Sequence, residues 1–168
     1  MSLVQVATNT VTSAVSSVTL TGISDDSVYM VAINNFVPVS NGVDPVTRVT
    51  VSGTAQSTSN YDRVFKIMKA GDSFQDVSGT NRSAFDVLTG AGTDNGEQNN
   101  AIIYCYNFNS SSAYSFITVE NVAINASAST RGSMGSNVYT VAESHDGLSF
   151  SFSSGNIASG TFTLYKVV

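Results

Sequence analysis

Residues 147–165 read Gly-Leu-Ser-Phe-Ser-Phe-Ser-Ser-Gly-Asn-Ile-Ala-Ser-Gly-Thr-Phe-Thr-Leu-Tyr, and this stretch decides the fold class. In Leu148 to Phe152, and again in Phe162 to Leu164, large apolar residues alternate with Ser or Thr. A period of two places the apolar side chains on one face of a β-strand and the polar ones on the other. We therefore predict two half-buried antiparallel strands, with Phe162 and Leu164 facing the core and Val167 left open.

Other strand-like segments recur along the chain at short spacing, separated by residues that favour turns. They comprise residues 11–21, 28–38, 46–54, 61–69, 83–88, 101–108, 114–120, 138–143, 147–153 and 160–168. Residues 61–69 also suit a short helix, although we favour a strand there, and residues 83–88 suit either a short strand or a turn of helix. Residues 121–135 are predicted to form a connector and residues 89–100 an exposed loop. The pattern predicts a single antiparallel β-sandwich of about eight or nine strands, of jelly-roll type, over residues 11–168. Residues 1–10 are predicted to form an N-terminal arm.

The composition supports an all-β fold. The chain has 168 residues, with only five Leu against twenty-two Val. Val and Thr suit a pleated sheet, whereas Leu is common in helix cores. Charged residues make up only 11% of the chain, and Ser, Thr and Asn supply most of the polar surface.

Charge and cysteine content exclude several classes of protein. The net charge of −5 disfavours binding to nucleic acid, and Cys105, the single cysteine, cannot form an intramolecular disulfide. No apolar run approaches the 18 residues or so that span a bilayer, so we expect no membrane insertion. The first six residues lack the features of a signal peptide, and we expect synthesis in a cytoplasm. No phosphate-binding loop or zinc-protease motif is present, and we expect no cofactor.

The chain's single histidine is the one candidate for catalysis. His145 precedes Asp146, which could orient it as a general base for a nearby serine. Such an arrangement would make the protein a small hydrolase. The alternative is a polar turn between two strands, which we favour because no serine is singled out by the sequence. We therefore predict a protein that is not an enzyme.

Two further segments have both a functional and a structural interpretation. The loop from Asp94 to Glu97 offers oxygen ligands for Ca²⁺, but Asn95-Gly96 also suits a simple turn. Cys105 lies within an apolar strand, where a small buried residue is expected. We assign neither segment to a site.

Exposed aromatic residues could serve a binding function. Tyr61, Tyr114 and Tyr139 lie near loops or strand ends, and we expect them to be exposed. Tyrosines of this kind stack on sugars or contribute to protein interfaces.

Two hairpin-like segments carry a resemblance to a known group of proteins. Residues 149–165, with Phe152-Ser153-Ser154-Gly155-Asn156-Ile157 at their centre, resemble the ending of small virion proteins of marine phages. Residues 18–23 and 29–38 are similar to the first hairpin of that group. The resemblance implies a structural component of the virion, a capsid-surface or tail-fibre protein assembled in the host cytoplasm, and it carries no catalytic residues.

The N-terminal arm is the predicted attachment segment. Residues 2–10 contain no charged side chain, and Leu3, Val4 and Val6 offer apolar area to a neighbour. Such an arm can add a strand to another protein on assembly. The expected partners are other virion proteins of the capsid or tail, with a homo-oligomer as a further possibility. The alternative is a receptor- or glycan-binding module at a fibre tip, contacting a host surface glycan.

Overall fold

The computed structural model describes residues 2–71, 74–87 and 90–168, which form two antiparallel β-sheets. The strands of this part of the chain are β1 (Leu3–Val11), β2 (Val18–Thr21), β3 (Tyr29–Pro38), β4 (Pro45–Val51), β5 (Thr54–Ala55), β6 (Tyr61–Lys69), β7 (Gln75–Arg82), β8 (Phe85–Asp86), β9 (Asn99–Tyr106), β10 (Ser115–Ile124), β11 (Thr130–Tyr139), β12 (Gly147–Phe152) and β13 (Ile157–Val167). The all-β sandwich is confirmed, whereas the predicted strand number is too low. Within the same ranges no helix is long and apolar enough to cross a membrane.

Eight of the strands have the connectivity of a jelly roll. Strand β1 pairs with β13, β2 with β12, β3 with β9 and β4 with β8, so that each pair nests inside the one before it. The nesting places β1-β13-β3-β9 in one sheet and β2-β12-β4-β8 in the other. Two sheets built from nested antiparallel pairs are the defining feature of this fold.

Two inserted hairpins widen one sheet well beyond the jelly roll. The hairpin β6–β7 lies in the chain between β4 and β8, and the hairpin β10–β11 lies between β9 and β12. Strand β10 pairs with β9, and β11 pairs with β6. The larger sheet therefore has the order β1-β13-β3-β9-β10-β11-β6-β7. We call the four strands β10, β11, β6 and β7 the extension.

The core lies between the two sheets and is rich in aromatic rings. Phe162 is fully buried and packs against Phe36 and Phe150, with ring centroids 5.0 and 5.3 Å apart. Leu164 is also buried, which confirms the predicted inward face of β13. Cys105 is buried among these side chains as predicted, and burial raises the pKa of its thiol far above the ordinary value.

A long connection covers the inner face of the extension. The Phe85 ring packs against Tyr61 at 4.7 Å, and Ala91 pairs with both Val43 and Asn125. The prediction that residues 89–100 form an exposed loop holds for residues 93–96, which are exposed and lie outside the strands. It is wrong for Ala91 and Glu97, which are buried, and for Asn99, where β9 begins. Residue 89 lies outside the described part of the chain. The short strand predicted within residues 83–88 is present as β8.

The N-terminal segment is part of the sheet. Residues 3–11 form β1 and pair with β13 along nearly its whole length, with an irregularity between Gln5 and Ala7. The prediction of a separate arm over residues 1–10 is corrected accordingly for the described residues from Ser2 on. Alternating Val and Thr residues give this segment strand propensity that its weak apolar pattern concealed.

The predicted connector over residues 121–135 is also wrong. It forms the end of β10, a turn and the start of β11, which runs to Tyr139 rather than to residue 143. Gly135 permits a close approach here, because a Cβ atom at this position would lie 2.3 Å from the Val64 carbonyl oxygen. Small residues thus occupy a strand where bulky ones would be expected. Strand β7, in the Gly- and Ser-rich stretch that follows β6, was likewise not predicted.

Candidate interaction surface

The outer face of the extension and of neighbouring β9 carries a cluster of exposed apolar side chains. They are between 37% and 59% exposed, and they are Val64, Met68, Ile102, Phe116, Val122, Ile124 and Met134. We call this set the apolar face, although Thr118, Ser136, Glu120 and Lys66 stand between its members. Clusters of exposed apolar side chains are a feature of interaction sites.

Strand β10 shows how the sequence builds this surface. Ile117 and Val119 point inward and are buried, whereas Phe116 and Val122 point outward and are exposed. An antiparallel strand with one face in water normally alternates apolar with polar residues. The outward face of β10 also contains Thr118 and Glu120, but three of its five side chains, Phe116, Val122 and Ile124, are apolar and exposed, which is more than a solvent-facing strand needs.

Shallow grooves follow the apolar face between the strands. One of about 560 Å³ runs between Val64, Phe116 and Val138. Another, of about 430 Å³, lies beside Ile102 and Val122. They are grooves in a sheet surface rather than a deep cleft, so they suit a broad, flat partner better than a small ligand.

Two charged side chains lie within the apolar face. Glu120 stands opposite Met134 on β11, and Met134 stands opposite Lys66 on β6. Lys66 pairs with Asp76 at 2.7 Å, and both side chains are largely exposed. Glu120 makes no ion pair with any residue that the structure describes.

Strand β1 provides a second exposed apolar surface at the far edge of the same sheet. Leu3, Val4 and Val6 are 45%, 53% and 36% exposed. Within the described ranges β1 pairs with β13 alone, which leaves one row of its backbone groups open. An open strand edge without charged side chains can accept a further strand. We call this surface the β1 edge.

Two of the three tyrosines predicted to be exposed are buried. Tyr61 and Tyr139 pack ring to ring at 4.7 Å, and their hydroxyl groups bond to Gln56 and Thr58. Burial raises the pKa of Tyr61 well above its ordinary value. Both were expected to be exposed because they lie at strand ends, but Tyr61 shares the inward parity of Phe65 in β6. Tyr114 is exposed, as predicted.

His145 is fully buried, and its surroundings differ from those predicted. Its Nδ1 lies 2.7 Å from the Ser115 hydroxyl, and its Nε2 lies 3.5 Å from a Glu143 carboxylate oxygen. Asp146 does not orient the ring, because it accepts hydrogen bonds from the Thr50 hydroxyl and the Gly53 N–H instead. Burial lowers the pKa of His145, although the nearby carboxylates partly oppose this effect.

The Ser115–His145 pair has the spacing of a nucleophile and a base but not their accessibility. A nucleophilic hydroxyl must contact its substrate, and Ser115 is fully buried beneath the sheet. The Ser115–His145 hydrogen bond satisfies two buried polar groups, and it holds the chain segment before β12 against the start of β10.

The loop considered for Ca²⁺ is organised around its own backbone. The buried Glu97 carboxylate turns inward and accepts a hydrogen bond from the Asp94 N–H at 3.0 Å. Gly92 leaves room for this carboxylate, since a Cβ atom there would overlap it. The described residues contain no group of three His, Cys, Asp or Glu side chains placed to hold a metal ion.

The apolar face was not predicted, although part of its pattern is present in the sequence. Phe116, Val122 and Ile124 alternate with the inward residues of β10, but the sequence does not show whether a second layer covers them. No family model matches the chain, and no similar protein was found among curated proteins or solved structures.

Proposed function

We propose that this protein is a non-enzymatic structural component of a virus particle, which decorates or cements the capsid or is attached to the tail. The observation that carries this proposal is the presence of two separate apolar contact surfaces on one sheet, the β1 edge and the apolar face. A component of a particle surface needs contacts of two kinds, to the particle and to its neighbours. The resemblance of residues 18–38 and 149–165 to phage virion proteins supports the same function through sequence alone. The expected hairpins are not formed, because β2 and β12 lie in the smaller sheet whereas β3 and β13 lie in the larger one.

The β1 edge suits attachment to another particle protein by strand addition. Its open backbone groups would pair with an extended segment of the partner, while Leu3, Val4 and Val6 lose exposed apolar area. Each such side chain contributes up to about 1.5–3 kcal/mol when fully buried. Because β1 is already paired with β13, attachment requires no ordering of this segment.

The glycan-binding alternative has less support. Stacking on sugars needs exposed aromatic rings, and of the three candidates only Tyr114 is exposed. The grooves of the apolar face contain amide side chains, including Asn100 and Asn121, but neither groove is lined by a tyrosine on which a sugar could stack. We therefore propose attachment to particle proteins as the function.

The test is to add purified variants to particles that lack the protein and to locate the bound protein by imaging. The double variant Leu3→Lys, Val4→Lys should lose most of its occupancy, because lysines protect a strand edge against pairing. Val39→Lys is the matched control. Val39 is equally exposed, but it follows the last residue of β3 and is not part of the β1 edge.

Salt provides a second arm of the same experiment. Wild-type occupancy should survive about 0.5 M salt, where the Debye length is only about 4 Å, because the β1 edge carries no charge. Full occupancy of the double variant, or removal of the wild type by salt alone, would place the attachment surface elsewhere.

A further inference from the structure

We propose that the apolar face binds the same face of a second copy of this chain, about a two-fold axis that runs along β11 over Met134. The proposal rests on the proposed function, because it names the partner of one of the two surfaces that such a component uses. A two-fold interface must be complementary to itself, so that each residue faces the residue at the mirrored strand position. Rotation about an axis along β11 exchanges the positions of β10 and β6.

The two charges on either side of Met134 satisfy this condition, whereas Asp76 at the edge of the same row comes opposite Ile102. Glu120 lies one strand to one side of Met134, and Lys66 lies one strand to the other side in the same row. The rotation therefore places Glu120 of each copy opposite Lys66 of the other. Glu120, which has no ion-pair partner in the described part of the chain, gains one, and Lys66 keeps Asp76 as a second partner at the rim.

The neighbouring row is complementary through its apolar side chains. Val122, Gly132 and Met68 lie side by side on β10, β11 and β6. The Met68 Cε atom lies 3.4 Å from where a Cβ atom of Gly132 would stand. The Met68 side chain therefore lies over Gly132, close to the axis. The rotation sets Val122 of one copy against Met68 of the other. Methionine fills irregular gaps readily.

The dimensions of the surface suit a dimer. The face spans five strands at about 4.8 Å spacing and about nine residues at about 3.4 Å per residue, so its dimensions are roughly 20 Å by 30 Å. That area approaches the approximately 800 Å² per partner of a standard protein interface. Aligned sheets cross at about −30°, so the two faces separate toward their corners. Phe116 and Asp62, which lie in an outer row, therefore remain in contact with solvent at the rim of the interface.

The first experiment measures the mass of the purified full-length protein by sedimentation equilibrium over a range of concentrations. The expected result is a reversible dimer of about twice the 17.6 kDa chain mass. Met134→Glu should make the protein monomeric, because it sets two like charges together on the axis, whereas Val39→Lys should leave the dimer intact. A wild-type monomer up to about 0.1 mM would overturn the proposal.

The second experiment tests the register by charge exchange. Glu120→Lys and Lys66→Glu should each weaken the dimer by about tenfold or more, because each sets like charges opposite one another. The double variant Glu120→Lys, Lys66→Glu should return the dissociation constant to within about threefold of the wild type. A double variant no tighter than the two single variants would refute this axis. Thermal unfolding of each variant at a concentration where the wild type is also monomeric measures any effect on the fold itself, including the loss of the Lys66–Asp76 pair in Lys66→Glu.

The two proposals fail separately. Met134→Glu should lose dimerisation but still attach to particles through the β1 edge, because the two surfaces act independently. A monomeric wild type that still joins particles overturns only the dimer. A dimeric wild type that never joins particles overturns the proposed function and leaves the dimer standing.

Discussion

The outer face of the larger sheet differs sharply between its two halves. Over β1 and β13 it carries paired threonines: Thr8 bonds to Thr163 at 3.0 Å, and Thr10 approaches Thr161 at 3.3 Å. Over β9 and the extension the corresponding positions carry the apolar face. Both halves belong to one continuous sheet, and the inner surface of each is buried in the same core.

The difference indicates that the two halves meet different surroundings. Paired threonine hydroxyl groups satisfy one another and remain compatible with water, as expected of a sheet face open to solvent. Valine, methionine and phenylalanine side chains gain free energy when they leave water. We infer that the outer face of the extension is covered by a partner, whereas the outer face of β1 and β13 is open to solvent.

The largest expected effect is a difference in stability between variants of inner and outer aromatic residues of the larger sheet. Phe162→Ala should lower the free energy of unfolding by about 3–5 kcal/mol, because it opens a cavity in the core. Phe116→Ala should lower it by less than about 1 kcal/mol in the monomer, since its ring is already partly in water. Thermal unfolding of both variants at low concentration measures the difference. A Phe162→Ala melting temperature within about 2 °C of the wild type would contradict the packing described.

A smaller effect distinguishes neighbouring residues at the start of β10. Ser115→Ala removes the partner of His145 Nδ1 and should cost about 1–3 kcal/mol, because the ring nitrogen stays buried without a hydrogen bond. Ser112→Ala is the control, since Ser112 is exposed in the preceding loop. Denaturant titration compares the two. Equal stability of the two variants would mean that Ser115 does not support the histidine.

Strand periodicity made most of the fold accessible from sequence, and its absence explains what was missed. The alternation in residues 147–152 and 162–164 was sufficient to predict β12, β13 and their inward side chains. Strand β11 escaped because Gly132 and Gly135 lack strand propensity, and their role depends on Met68 and Phe65 of a distant strand. Local composition cannot show such contacts.

The candidate sites were harder to predict because exposure is a tertiary property. The buried positions of Tyr61 and Tyr139 follow from strand parity once the strand bounds are known, but those bounds were wrong for β11. The β1 residues Leu3, Val4 and Val6 are exposed, although within a paired strand rather than in a free arm. The apolar face needed the sheet order, which brings β6 and β10 to either side of β11.

A modest effect is expected on the polar half of the outer face. Thr163→Val removes the hydrogen bond to Thr8 and should cost about 0.5–1.5 kcal/mol, which corresponds to a fall of about 1–6 °C in melting temperature. Thr161→Val provides a comparison, because its bond to Thr10 is longer and more exposed. Neither variant should change the mass of the protein in solution. A shift in association by either would show that this half is also an interface.

The smallest expected effect on the free energy of unfolding at neutral pH comes from the titration of His145. Because burial lowers its pKa in the folded state, the unfolded chain binds a proton more readily below about pH 6.5. The contribution to stability is therefore complete above pH 6.5 and falls as the pH drops from there toward the folded pKa. Comparing unfolding at pH 7 and pH 5.5 for the wild type and His145→Gln tests this. An equal pH dependence in both would exclude His145 as its source.

The central claim, that the apolar face is covered by a second copy while the paired threonines of β1 and β13 are not, is tested most directly by thiol labelling of the purified protein in the absence of particles. The native Cys105 is buried, so single cysteines introduced as Met134→Cys and Thr10→Cys report their own surroundings. In dilute monomer both should react at similar rates. At concentrations where the dimer forms, labelling at position 134 should be slowed by at least about tenfold, while position 10 stays reactive. Equal labelling of both positions in the dimer would contradict the account.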